Sequence, residues 1–418
     1  MTGAMRTIPM ARLDRINRGH HLVGVVGPIE VPSREEFVAA LRRIAAVGPQ
    51  ARLGLQFGER EGTWRYDPAG LDELCESIVS TTTEPAMDYA RRIMPAVAGR
   101  GREARPVEFV LAGDYIVTIF DHGLGDGPIM ELLPAAVVAI ARGAGIPDVF
   151  QASRMSGALR AALLGTYLRH PTAVPRTLAA RRAASRPALP QATPVPAAVP
   201  PEPVPSFHYA RSTAAQLREL KQLTRAGSAP VSLTALLMSL LARSIQREGA
   251  AVAPDGVLVL DSRRYLPEGA NTLGNFITGM PVGLTDTEPA VISSQIDSML
   301  GSGWPLATLT MGALQAGAPP APPVPVDPGS PVRLSLSNAG LLRRFGELPW
   351  LPGGERVALF AVGPVPDRQF SVSVMAVGQE LHFTASFNAA MLAPGFVAAV
   401  LERVVREPAT LLERDERG

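Results

Sequence analysis

The period of the apolar positions changes repeatedly along the chain. Residues 22–32, "LVGVVGPIEVP", form an apolar run that predicts a strand. In "SREEFVAALRRIAAVG", Phe37, Leu41 and Ile44 recur at helical spacing, and Ser33 with Glu36 three residues on matches a capping box. Short β-rich runs follow in "ARLGLQF" and "GTWRY". In "VEFVLAGDYIVTIFDHG" two β-rich runs are joined by Ala-Gly-Asp, which predicts a hairpin, and a helical pattern begins at about Pro128. Later in the chain, "STAAQLRELKQLTRAG" and "VSLTALLMSLLARSIQREG" both predict amphipathic helices. A strand at "GVLVLDSRR", a loop-rich "LGNFITGMPVGL" and a helix near residues 288–301 come next. Four strands ("VRLSLSN", "RVALFAV", "QFSVSVMAV", "ELHFTASF") and a helix over roughly 394–406 complete the pattern.

Two proline-rich crossings interrupt this pattern. "RPALPQATPVPAAVPPEPVPS" carries eight prolines, too many for a helix or a central strand, and is expected to be an extended linker. "APPAPPVPVDPGSP" separates the late strands from what precedes them. The expected organisation is a lobe over 1–170, a linker over 171–206 and a second lobe over 207–418. Strands and helices interleave in both lobes, but hairpins are frequent. Two α+β lobes with mixed sheets are therefore expected, rather than a doubly wound parallel sheet. No short-period repeat is present.

Composition narrows the function. Of 418 residues, 46% are apolar and 19% charged, enough to bury a sizeable core. A formal charge of +2, scattered basic residues and only 5% aromatics argue against nucleic-acid binding. The lone Cys75 rules out an internal disulfide or a multi-cysteine metal site and reads as a small buried hydrophobe. His20, His21, His170, His208 and His382 have no companion at metal-ligand spacing, so no metal is expected. The N-terminus lacks a signal-peptide core, and "GPIMELLPAAVVAIARGAG" is too short to span a bilayer. A cytoplasmic protein without a membrane span is the expectation.

The chemistry concentrates in "FDHGLGDGP", residues 120–128. As a phosphate loop it has the wrong offset, G-x-G-x-G, and Asp126 would face a phosphate with negative charge. As plain structure, Asp126 caps the next helix, Gly127 and Pro128 open it, and His122 is an ordinary turn residue. As a catalytic element, the turn at the strand end projects the His122 imidazole into a cleft, where it acts as a general base near neutral pH.

"DHGLGDG" resembles the H-H-x-x-x-D-G motif of the condensation-domain and CoA-dependent acyltransferase superfamily. "LVLDSRRYLPEGANTLGNFITGMPV" resembles that family's arginine followed by L-G-N-F, and "RLSLSNAG" its S-N-x-G segment. The resemblance runs over nearly the whole chain, including the "IPMARLDRINRG" start. It implies a two-lobed, chloramphenicol-acetyltransferase-like pseudo-dimer with an active-site channel between the lobes. His122 falls on the catalytic histidine, Asp126 on the structural aspartate and Gly127 on the closing glycine. Asp121 stands where the motif has its first histidine. Arg263, with Arg264 as alternate, is the expected partner of Asp126. Asn275 is expected in a turn beside the channel, and Ser337 and Asn338 as oxyanion donors. The implied activity is acyl transfer from a CoA or phosphopantetheine thioester to an alcohol or amine. No further cofactor is implied, and an acyl carrier protein is a possible partner. The alternative is an inactive relative that binds a carrier protein or a lipid.

Overall fold

The computed structural model describes residues 4–413 except 99, 101–104, 170, 185–202, 228, 317–328, 364 and 366–367. Most of the first proline-rich segment, most of the second, and His170 thus lie outside the described residues.

Among the described residues the strands form three sheets. The first runs in the order 357–363, 21–27, 115–121, 107–112, 79–82, and it is antiparallel except at its last pair. The expected hairpin is its centre: Val107–Ala112 pairs antiparallel with Tyr115–Asp121. Gly113 at the turn has a φ of 59°, a conformation glycine adopts at no steric cost. The second sheet is mixed, in the order 277–283, 255–261, 333–341, 369–377, 380–388, 205–211. A small antiparallel sheet joins 6–9, 63–66 and 55–57.

Helices cover these sheets with their apolar faces. Arg34–Ala45 starts from the Ser33 cap with both capping-box bonds formed, and it buries Phe37, Leu41 and Ile44. Gly127–Ala141 packs in the same core. Cys75 lies in this core, and burial pushes its thiol up to about 11, as suits an inert hydrophobe. On the second sheet, Leu233–Arg247, Pro289–Ser302 and Pro394–Arg406 enclose a second core.

Several elements differ from the pattern-based expectation. "ITGMPVG" is a strand, Ile277–Gly283, with alternating burial that its glycines and proline disguise. Pro205–Arg211 is an edge strand that begins at the last two residues of the proline-rich stretch. Ala173–Ala184, inside the span expected as linker, is helical. Val357–Gly363 belongs by sequence to the second lobe but pairs with His21–Gly27 in the first sheet. From there the Val362 N–H donates to Ser386 Oγ of the second sheet at 2.9 Å. The lobes are therefore sewn together by an exchanged strand as well as by the connecting segment. The architecture is α+β, two-lobed, with open mixed sheets. Among the described residues no helix is long and apolar enough to cross a membrane.

Candidate active site

The register of the first sheet places the end of Tyr115–Asp121 beside the start of His21–Gly27, with Asp121 opposite His21. The chain then turns tightly through His122–Leu124. The His122 N–H donates to the His20 carbonyl at 2.7 Å, continuing the ladder for one more bond. Asp121 holds the turn from below. Its carboxylate accepts the Gly123 N–H at 2.7 Å and the Gly19 N–H at 3.0 Å, and it lies 3.7 Å from His21 Nε2. Burial pushes the Asp121 carboxyl above its ordinary range and the His21 imidazole below its own. The acid in the motif's first-histidine slot thus has a local structural task here.

Asp126 does not cap the following helix. It occupies the N-cap position, but its carboxylate makes no capping bond. Instead it receives a bidentate pair from Arg263, at 2.6 and 3.0 Å, and the Phe276 N–H at 2.8 Å. The carboxylate is fully buried, so a planar fork that satisfies both oxygens suits its desolvation. Arg263 is itself held by the Thr272 and Gly274 carbonyls at 2.9 and 2.7 Å. The partner is Arg263 and not its neighbour Arg264, and the bond joins the two lobes.

A second network crosses the same seam. Asn275 Nδ2 donates to the His122 carbonyl at 2.7 Å and to Asp14 Oδ1 at 3.1 Å, and the Asn275 N–H donates to the same oxygen at 2.9 Å. Arg52 donates to Asp14 Oδ2 at 2.6 Å and also to the Leu124 carbonyl. Asp14 and Arg52 are each about 1% exposed. Sequence reading missed both, because nothing local marks a pair 38 residues apart. One physical hint emerges only from the backbone: Arg52 adopts a left-handed φ of 65°, uncommon for a residue with a Cβ.

Glycine requirements differ from the motif's expectation. A Cβ on Gly125 would run into the Leu273 carbonyl, so close approach of the two lobes demands glycine there. A Cβ on Gly127 would meet nothing within 4 Å. Gly127 opens the helix but does not touch the seam.

His122 is the exception in this tightly bonded setting, because its side chain stays partly exposed. Nδ1 is buried without a hydrogen-bond partner, which leaves Nε2 as the nitrogen open to an approaching group. Ser337 and Asn338 lie on Arg333–Leu341 of the second sheet. The Asn338 side chain is engaged at both ends, donating to Thr234 Oγ1 at 2.9 Å and accepting from the Gly340 N–H at 3.0 Å, where the strand bulges. No hydrogen bond links either residue to the His122 turn. Among the described residues no cluster of histidine, cysteine and acidic side chains could hold a metal.

No protein-family model matches the chain, and no curated protein matches it in sequence. Solved structures do match in fold. Trichothecene 15-O-acetyltransferase from Fusarium sporotrichioides superposes with a TM-score of 0.69 at 13% identity, covering 98% of this chain and 95% of its own. Polyketide synthase associated protein 5 from Mycobacterium tuberculosis gives 0.60 at 14% identity, covering 97% and 100%. The first condensation domain of the calcium-dependent antibiotic synthetase gives 0.60 at 14%, covering 99% and 97%. The fold is the one shared by condensation domains and CoA-dependent acyltransferases.

Proposed function

We propose that the protein transfers an acyl group from a CoA or carrier-protein thioester to a hydroxyl or amine, with His122 as the general base. The observation that carries this reading is the Asp126–Arg263 bridge between the lobes. It braces the turn from behind and leaves the His122 ring partly exposed at the seam. The shared fold with acyltransferases and condensation domains supports it.

In this mechanism His122 Nε2 takes the proton from the acceptor O–H or N–H as its lone pair forms a bond to the thioester carbonyl carbon. The carbonyl electrons move to oxygen, then return as the C–S bond breaks. The imidazolium returns its proton to the leaving thiolate. A thioester is already activated, so alignment and one base can suffice. Asp126, Arg263, Asn275 and Asp121 position the base without touching the reacting atoms. Ser337, whose hydroxyl has no partner among the described residues, is the candidate oxyanion donor. The test offers acyl thioesters with mixed alcohols and amines and follows release of free thiol. Release that needs both substrates and vanishes in His122→Ala is expected. No release from any pair would contradict the reading.

A further inference from the structure

Beside the His122 turn lies a second feature that the proposed mechanism does not use. A pocket of about 310 Å³ opens between the short helix Arg12–Asn17 and the small sheet. It is lined by Arg15, Arg18, His21, Phe57, Arg100 and Asp121, with Glu61 at its wall. Its floor is closed by His21 and Asp121, each no more than 3% exposed. Both His21 ring nitrogens are buried and lack a hydrogen-bond partner, so the floor offers a donor that the fold leaves unused.

The walls are basic and preorganised. The Arg18 guanidinium lies over the Phe57 ring, 4.2 Å from its centroid. The Arg15 side chain rests on Gly62, where a Cβ would come within 2.9 Å of its guanidinium nitrogens. Neither arginine takes part in an ion pair among the described residues. Arg100 is bound to Glu108 at 2.8 Å. The acid on the floor is already committed to the Gly19 and Gly123 N–H groups. The Arg15 and Arg18 guanidinium groups therefore line the pocket without an ion-pair partner among the described residues, and His21 beside them lies 3.7 Å from Asp121.

The wall of the pocket is also packed against the turn that carries the candidate base. A Cβ on Gly123 would meet the Arg18 Cα at 3.1 Å, so the arginine's backbone lies against the turn. His20, between Gly19 and His21, accepts the His122 N–H.

We propose that this pocket binds an anionic head group, a carboxylate or a phosphate monoester, carried by the molecule that receives the acyl group. The acceptor class is then an acidic hydroxy or amino compound, anchored by Arg15 and Arg18 while its nucleophile reaches His122. This deepens the acyl-transfer reading and rests on it for the word acceptor, but anion binding can be measured without any transfer.

The test titrates the full chain with benzoate, phenyl phosphate and neutral benzamide. At least one anion should bind and benzamide should not. An Arg15→Gln, Arg18→Gln double variant should weaken anion binding by about tenfold or more, while His122→Ala should bind as the parent does. Coenzyme A should leave the bound anion in place. Equal binding of benzamide, unchanged binding by the double variant, or no binding of either anion would overturn the site. Displacement by coenzyme A would give the pocket to the donor's phosphates and overturn the acceptor assignment. If the binding pattern holds and no acyl transfer is ever seen, the transfer reading fails while the anion site stands.

Discussion

At the scale of single residues, backbone satisfaction explains more of the site than the motif letters do. Asp121 accepts two backbone N–H groups in a dry setting. An asparagine there keeps one side-chain acceptor oxygen and turns its NH₂ toward the other donor. Asp121→Asn should therefore cost about 1–3 kcal/mol of stability, read from the denaturant midpoint, and an unchanged midpoint would refute the assignment. Glycine gives a sharper contrast. Gly125→Ala should sharply lower the melting temperature, because its Cβ would run into the Leu273 carbonyl oxygen, whereas Gly127→Ala should melt like the parent. Similar effects of the two would mean the seam yields more than its geometry suggests. The motif letters favoured Gly127, since a pattern of residue types cannot tell which glycine meets another backbone. Asp14 and Arg52 were illegible for a related reason: their pairing depends on a fold that brings distant segments together.

At the scale of elements, the strongly patterned ones were legible in the sequence. The Ser33 capping box, the 107–121 hairpin and the helix over 394–406 follow from local rules alone. Ile277–Gly283 was not, because Gly279, Pro281 and Gly283 fall on its exposed face and hide the alternation. The placement of Val357–Gly363 was not legible either. An apolar strand reads the same whichever sheet it joins, and only tertiary packing decides. The adjoining strand pair makes a pH prediction. His382, on Glu380–Asn388, is fully buried with Nδ1 2.8 Å from the Tyr209 hydroxyl. Burial, reinforced by Arg211 and Arg356, drives its pKa down to about 3. The unfolded chain protonates this imidazole as pH falls through about 6.5, and the folded chain does not until about 3. The native state thus binds fewer protons in that window, and stability falls as pH drops through it, by on the order of 5 kcal/mol in full. His382→Gln should flatten the loss of stability between pH 7 and pH 4. A variant that loses as much as its parent would contradict this.

At the scale of the whole molecule, the two lobes meet through a swapped strand, the Asp14–Asn275 network and the Asp126–Arg263 bridge. A buried carboxylate that loses its partner is left desolvated and uncompensated, which typically costs about 3–5 kcal/mol. Arg263→Gln should lower stability by that order in chemical denaturation, and pairing it with Asp126→Asn should recover part of the loss. A surface-like cost below about 1 kcal/mol would mean that the bridge does not hold the lobes. The α+β plan with mixed sheets was legible from the interleaved strands and helices. The seam was not, because it is made of contacts between segments more than a hundred residues apart.

The central claim is that His122, held at this seam, is the base in acyl transfer. Single-turnover transfer from an isotope-labelled acyl thioester to an acceptor, followed by the acceptor's intact mass, measures it most directly. His122→Ala should fold and melt like the parent yet transfer about 100- to 10,000-fold more slowly. A His122→Ala protein that transfers at a rate within a few fold of the parent would contradict the account.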